Sequence, residues 1–251
     1  MPNPWDAGSA RLFAHLGFEA LATTSSGAAS TLGQLDGGLT RDQALDNATA
    51  IAAAVDVPVS ADLEDCFARE PEGVADTARR ALATGVAGFS VEDFTRDDAD
   101  PIHDIGLAGE RVAAAAEVAH TGAARLVVTA RAENHIHGRN DLRDTIRRLQ
   151  RYQEAGADVL FAPGLSRIDD IREVVRSVDR PVSVLAVRGC PSVTELSEAG
   201  VRRVSVGGAM AFAALGAAAD AARELLEQGT YGYLERSRAG VAAARAAFAS
   251  S

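Results

Sequence analysis

Residues 57–67 read VPVSADLEDCF, residues 75–85 read ADTARRALATG, and residues 86–94 read VAGFSVEDF. The outer segments are short apolar runs that end in acids. The middle one has the 3.6-residue period of an amphipathic helix. Strand, helix and strand joined in this way form a parallel βαβ unit. The unit repeats outward in both directions. Strand-like runs lie at 18–24, 57–64, 86–93, 126–134, 158–164, 181–187 and 203–208. Helical stretches alternate with them at 41–55, 75–84, 107–119, 141–155, 168–178 and 192–199. The strand runs are mostly apolar on both faces, as in a sheet buried on both sides. Gly17, Gly85, Gly156 and Gly200 stand at the helix-to-strand joints, where a helix end needs a left-handed residue.

A short eighth strand at 2–6, before a helix at 9–16, completes a (β/α)₈ TIM barrel, and this is the expected fold. The 251 residues form one domain, 1–251, of the length such barrels take. Two helical segments follow the last strand, at 210–227 and 234–248. One finishes the barrel. The other is an extra C-terminal helix, of the kind that packs on a partner subunit. A doubly wound open sheet is the alternative, but no GxGxxG follows the first strand.

Composition excludes several roles. Hydrophobic residues make up 47% and charged residues 24% of the chain, as in ordinary globular domains. A net charge of −10 argues against a nucleic-acid partner, which needs a basic face. No apolar run reaches the roughly 18 residues that span a membrane, and the first residues lack a signal-peptide pattern. Cys66 and Cys190 are too few for a disulfide framework. The expectation is a cytoplasmic protein. All 25 basic residues are arginine. Without a lysine amine there is no Schiff-base chemistry, so a carbanion must be stabilised by a metal or by hydrogen bonds.

Barrel active sites lie at the C-terminal ends of the strands. Here those ends read TTSSGAAS (23–30), ADLEDCF (61–67), VEDF (91–94) and ARAENHIHGRND (130–141), whereas 162–164 and 206–208 are nearly bare. Asp62 and Glu64, two apart on one strand, share a side, and Glu92 ends the next. Carboxylates this close repel unless a cation lies between them. Their hard oxygens suit Mg²⁺, or Mn²⁺, with one direct ligand and the others acting through water. Asp65 and Asp93 point the other way, to capping or surface pairing. Arg131 is placed to clamp a carboxylate, or else to pair with Glu92 or Glu133. Thr24, Ser25 and Ser26 form a small-residue turn suited to anionic oxygens, and Asn134 is a further candidate for the substrate. Asp36, in a loop made pliable by Gly33, Gly37 and Gly38, is a lid-mounted acid/base or a turn aspartate. His135 and His137 can move protons near neutral pH. Cys66 is a candidate thiol beside the acids.

The order TTSSGAASTLGQLDGG, SADLEDCF, SVED, TARAEN resembles the isocitrate lyase/phosphoenolpyruvate mutase family, over nearly the whole chain. The resemblance implies a (β/α)₈ barrel assembled as a homo-oligomer, a dimer or a tetramer, with a C-terminal helix swapped between subunits. It implies Asp62 as the principal Mg²⁺ ligand, with Glu64 and Glu92 completing the metal site. Arg131 matches the arginine that grips the substrate carboxylate, Thr24 and Ser25 the residues at its 2-oxo end, and Asp36 an aspartate near the reacting centre. Asp36 and then His137 are the acid/base candidates. Three departures count against particular members. The lyases' K-K-C-G-H loop is replaced by FTRDDADPIHD (94–104), Pro163 stands where the phosphonomutases have histidine, and Cys66-Phe67-Ala68 stands where the family has Gly-Tyr-Gly. The expected activity is a Mg²⁺-dependent carbon–carbon lyase or decarboxylase, acting on a small 2-oxo or 2-hydroxy dicarboxylate through a pyruvate-like enolate. The alternatives are a phosphonomutase or phosphonate hydrolase, and a silent binder of 2-oxo acids.

Overall fold

The computed structural model describes residues 1–122 and 124–249. Seven strands, β1 Leu21–Ala22, β2 Val59–Ala61, β3 Gly88–Glu92, β4 Val127–Arg131, β5 Val159–Phe161, β6 Val182–Leu185 and β7 Arg203–Ser205, pair in that order. Every pairing is parallel. Helices alternate with them: α1 Ala7–His15 before β1, α2 Ser25–Thr31 and α3 Arg41–Ala52 after it, then α4 Pro71–Ala81, α5 Ile105–Thr121, α6 Leu142–Glu154, α7 Ile168–Ser177 and α8 Val193–Glu198. The result is a nearly closed (β/α)₈-type barrel.

Local chemistry starts the helices where they start. Asp6 with Ser9, Thr40 with Gln43 and Ser192 with Glu195 are reciprocal capping boxes. Asp104 and Asp141 cap α5 and α6. Gly17, Gly85, Gly156 and Gly200 all have positive φ, as their positions at the joints required. One element escapes the sequence reading: 25–31, read as a turn, is a short helix capped by Thr24, whose hydroxyl accepts from Gly27 N–H. The strands are also shorter than the apolar runs, because the polar ends leave the ladder and form the barrel mouth.

The expected eighth strand at 2–6 does not form. The chain there lies across the seam between β7 and β1 and is joined to both. Met1 N donates to Val204 O at 3.0 Å, and Ala22 N–H donates to Pro2 O at 3.1 Å. The buried Asn3 side chain donates to Thr23 O (3.1 Å) and accepts from Ser205 Oγ (3.1 Å) and Val206 N–H (2.9 Å). Pro2 and Pro4 lack the N–H groups of a regular ladder, so a side chain makes the closure.

The outward faces of the strands carry the apolar core: Val59, Ala61, Phe89, Val91, Val128, Ala130, Leu160, Val182 and Val184 are buried under the helices. The inward faces differ from the reading of two apolar faces. They present Ser60, Ser90, Thr129, Ser183 and Ser205, at places where barrels of this kind stack branched aliphatics.

After β7 come α9 Ala209–Gln228 and α10 Leu234–Phe248. Only Ala211 of α9 is buried, and Phe212, Leu215, Leu225 and Leu226 are exposed. α10 packs against α1. No helix among the described residues is long and apolar enough to cross a membrane.

Because Asn3 satisfies groups on both sides of the seam, Asn3→Ala should lower the unfolding free energy by about 1–3 kcal/mol. A urea transition with unchanged midpoint would contradict this role.

Candidate active site

The barrel mouth holds a cavity of about 160 Å³. Thr24, Ser25, Ser26 and Asp36 line it from the β1 side, Asp62 and Ser90 from β2 and β3, and Arg131, Ile136 and Phe161 from β4 and β5. It is well below the roughly 300–1,000 Å³ of pockets for drug-sized ligands, which suits a small metabolite rather than a drug-sized one.

Arg131 is the hub. Its Nε donates to Glu133 Oε1 (2.8 Å), Nη1 to Asp62 Oδ1 (3.0 Å), and Nη2 lies 3.1 Å from Glu92 Oε2. The guanidinium stacks on the Phe161 ring at 5.4 Å. Arg131 therefore pairs with Glu92 and Glu133, as one of the two readings had it, and it also faces the cavity. Asp62 is its counterpart. Oδ2 accepts from Ser25 N–H (3.0 Å) and Ser25 Oγ–H (2.9 Å), and Oδ1 also accepts from Ser90 Oγ–H (3.3 Å). Burial alone would raise the Asp62 pKa. Arg131 and the two Ser25 bonds outweigh it and hold the carboxyl below its ordinary range. Thr24 and Ser26 hydroxyls are 3.1 Å apart.

Glu64 and Glu92 lie behind Asp62 and do not line the cavity. Glu64 Oε2 accepts from Arg96 Nη2 (2.7 Å), while Oε1 is buried with no hydrogen-bond partner. Burial, opposed by Arg96, raises the Glu64 pKa to about 7. Burial also pushes Glu92 well above its ordinary range, with Glu133, Asp62 and Glu64 adding to the rise against Arg131. Among the described residues no three His, Cys, Asp or Glu side chains converge into a ready cation cage. The donor set nevertheless fits a hard cation: Asp62 is open to the cavity, an orphaned carboxylate oxygen lies behind it, and the acids outnumber the neighbouring cations. Such a set suits Mg²⁺, which takes one or two carboxylates directly and keeps its waters.

Asp36 stands at the rim, exposed on its outer side. Its Oδ1 accepts from Gly37 N–H (3.1 Å) and lies 3.5 Å from Ser25 Oγ. The surrounding protein and the Asp62 charge raise its pKa. The Asp36 loop is held from an unexpected quarter. Arg96, in the 94–104 segment, donates to Gly37 O (3.0 Å) and pairs with Glu64 and Asp65 (2.9 Å). It also lies over the Phe67 ring at 5.2 Å. Nothing in its sequence neighbourhood signals this, because its positive φ of 64° and the loop path are tertiary facts.

Asn134, His135, His137 and Cys66, like Glu64 and Glu92, do not reach the cavity. Asn134 is buried against α6, donating to Thr145 Oγ1 at 2.7 Å. His137 stacks on Phe94 with ring centroids 4.0 Å apart, and burial lowers its pKa. His135 is likewise absent from the lining, although Ile136 between the two reaches it. Cys66 lies fully buried in the core with its thiol facing Ser90 O (3.7 Å), and burial pushes its pKa far up, so it is no nucleophile. Cys66 and Phe67 keep the positive φ (58° and 55°) of a glycine-type turn. Asp93 is a correction. It is buried, accepting from Tyr152 Oη–H (2.5 Å), Arg148 Nη1 (3.1 Å) and Glu133 N–H (2.8 Å). A side chain on the outer face of a barrel strand meets the helix layer, not solvent. Asp65 does cap its turn, accepting from Phe67 N–H, and adds the Arg96 pair.

The phosphoenolpyruvate phosphomutase family pattern matches residues 1–226. A protein of unassigned function from Mycobacterium tuberculosis (strain H37Rv) is 35% identical over 224 residues, 89% of this chain and 83% of that protein. A 2-methylisocitrate lyase of Aeropyrum pernix is 28% identical over 240 residues, 91% of this chain and 76% of that one. A Burkholderia cenocepacia J2315 structure, assigned provisionally as a lyase/mutase, superposes with a TM-score of 0.92 at 49% identity, covering 94% and 86% of the two chains. Other relatives are named 2,3-dimethylmalate lyase, oxaloacetate decarboxylase and oxaloacetate acetylhydrolase. The chain belongs to the isocitrate lyase/phosphoenolpyruvate mutase family of lyases and mutases.

Proposed function

We propose that this protein is a Mg²⁺-dependent carbon–carbon lyase or decarboxylase acting on a small 2-oxo or 2-hydroxy dicarboxylic acid. The observation that carries the reading is Asp62, oriented by Ser25 and Arg131 and opening onto a small cavity. Asp62 would hold the cation directly, with Glu64 and Glu92 acting through water. When bound, Mg²⁺ supplies a Lewis acid for negative charge developing on the 2-oxo oxygen.

The chain's own residues do the rest. Ser25, bonded to Asp62 through both N–H and Oγ, fixes the direction of that carboxylate. Arg131 holds a positive charge at the cavity wall for the substrate's carboxylate. Asp36, at the rim with a raised pKa, is placed to give or take the proton that follows bond cleavage. Phe161 and Ile136 cover the apolar sides and limit water. Absent lysine closes the Schiff-base route, and burial takes the Cys66 thiol out of the chemistry. The exposed apolar residues of α9 support assembly as a homo-oligomer, a dimer or tetramer, since patches of this kind mark interfaces.

Asp62→Asn should reduce turnover of a panel of oxaloacetate, alkylated malates and methylisocitrate by about 10²–10³-fold, read by NMR as appearance of a 2-oxo acid. Asp36→Asn should reduce kcat with little change in KM. Full activity in Asp62→Asn would sink the reading. A chain that binds oxalate but turns over nothing in the panel would make it a binder.

The buried acids set a pH test. Glu64, Glu92, Asp93 and Glu133 have pKa values raised on folding. Each favours the folded state at low pH and loses that contribution as pH rises through its folded pKa. Asp62, Asp144 and Asp158 are lowered and act in the opposite sense, at pH values below their ordinary range. Burial also lowers His103, His135 and His137, which oppose the trend below about pH 6.5 but are outnumbered by the raised acids. Metal-free protein should therefore melt at a lower temperature at about pH 8 than at about pH 5, with Mg²⁺ raising Tm more at the higher pH. A Tm independent of pH, or no response to Mg²⁺, would contradict the charge balance described. Replacing Leu225 and Leu226 by Glu should shift sedimentation to a smaller species. A wild-type chain that already sediments as a monomer would overturn the oligomer.

A further inference from the structure

Below Arg131, on the inner face of the barrel, a second guanidinium reaches the same cavity. Arg203 opens β7, pairs in register with Ser183, and lies largely inside the barrel. Among the described residues its one hydrogen bond runs from Nη1 to Thr129 Oγ1 at 3.1 Å, two residues before Arg131 on β4. Nε is buried without a partner, and no acid among the described residues forms an ion pair with it.

The molecule's other interior arginines are satisfied differently. Arg111 donates from its terminal nitrogens to Glu92 O, Asp65 O and Ala68 O, although its Nε too lacks a partner. Arg148 pairs with Asp93 and Asp144. Arg131 makes ion pairs with three acids. Arg203 alone among these has neither carboxylates nor a set of carbonyls. Burial and the Arg131 cation lower its pKa to about 10, with Asp62 opposing, so it stays charged at neutral pH. A half-buried cation with a buried Nε and no acid partner is costly to keep, and although its other side borders an open pocket near Phe18 and Val193, here it faces a ligand cavity lined with hydroxyls from Ser60, Ser90 and Ser205.

We propose that Arg203 anchors the second carboxylate of the substrate, so that the cavity selects a short dicarboxylate reaching from Asp62 and Ser25 at the mouth to Arg203 at the floor. The proposal rests on the 2-oxo acid reading above and narrows it. The fork of a guanidinium matches a carboxylate in two parallel bonds, and the neighbouring hydroxyls can complete its oxygens. The selected acids have about four carbons. Monocarboxylates such as pyruvate, and the two-carbon oxalate, engage the mouth and leave Arg203 empty.

Calorimetric titration of the full-length protein in Mg²⁺ with oxalate, pyruvate and malate tests this, comparing wild type with Arg203→Met and Arg203→Lys. The expected result is a malate affinity about tenfold or more weaker in Arg203→Met, oxalate unchanged within about twofold, and partial recovery in Arg203→Lys. Tm should be unchanged or higher in Arg203→Met, because an unpaired buried charge is removed. Equal weakening of all three ligands, no weakening of malate, or a markedly lower Tm with ligand affinities intact would each overturn the anchor and make Arg203 structural. If wild type binds oxalate but shows no preference for malate over pyruvate, the anchor fails and the wider reading stands. If wild type binds none of them, both fail.

Discussion

Three carboxylates around one guanidinium hold the mouth of this barrel in shape. Asp62, Glu92 and Glu133 come from the ends of β2 and β3 and from the segment after β4, and they would repel one another without Arg131. The constraint runs outward from there. Asp62 is turned to meet Ser25, which fixes the start of α2. Glu133 N–H is held by Asp93, which Tyr152 and Arg148 tie to α6. Glu64 and Asp65 bind Arg96, which holds the Asp36 loop. Charge compensation at one point therefore positions elements far apart in the chain. Buried pairs of this kind contribute little net stability compared with apolar packing, and breaking one partner is costly. Their effect is to specify geometry.

The barrel interior is the second unusual feature. Serines and a threonine take many of the inward positions where such barrels stack branched aliphatics, with Leu185 and Phe161 beside them and an arginine among them. The outward faces supply the apolar burial, so the inner face is free to be polar. Closure follows the same logic. The Asn3 side chain, with two main-chain bonds at Met1 and Pro2, bridges the seam where an eighth ladder is missing, because two prolines near the start of the chain prevent a regular strand.

Much of the site was legible because it depends on strand periodicity. Asp62 continues the inward side of β2 and Arg131 ends the inward side of β4, so their meeting at the mouth follows from order and spacing, whereas Glu64 lies in a turn beyond β2 with a φ of 50° and alternation does not place it. Ser25 and Asp36 follow from the small-residue turn and its glycines. Asn134 and His137 were misplaced for a definite reason: they sit in a loop, where no period dictates direction, and the loop turns Asn134 into α6 and His137 onto Phe94. The short helix at Ser25–Thr31 had a signal that went unread, a threonine N-cap followed by small helix-tolerant residues.

Composition and pattern alone determined the alternation of strands and helices, the absence of lysine chemistry, and the acidic mouth. These follow from the chain's local period and its inventory of groups. Tertiary structure alone decided which side chains share a cavity. Arg202 and Arg203 are indistinguishable as residues, and only the register of β7 against β6 sends Arg203 inward. Arg96 is one charge in a polar loop until the fold carries it over Glu64. Alternation fixes the side of a strand on which a residue lies, but partners across a barrel are set by shear and loop path, which no local pattern encodes.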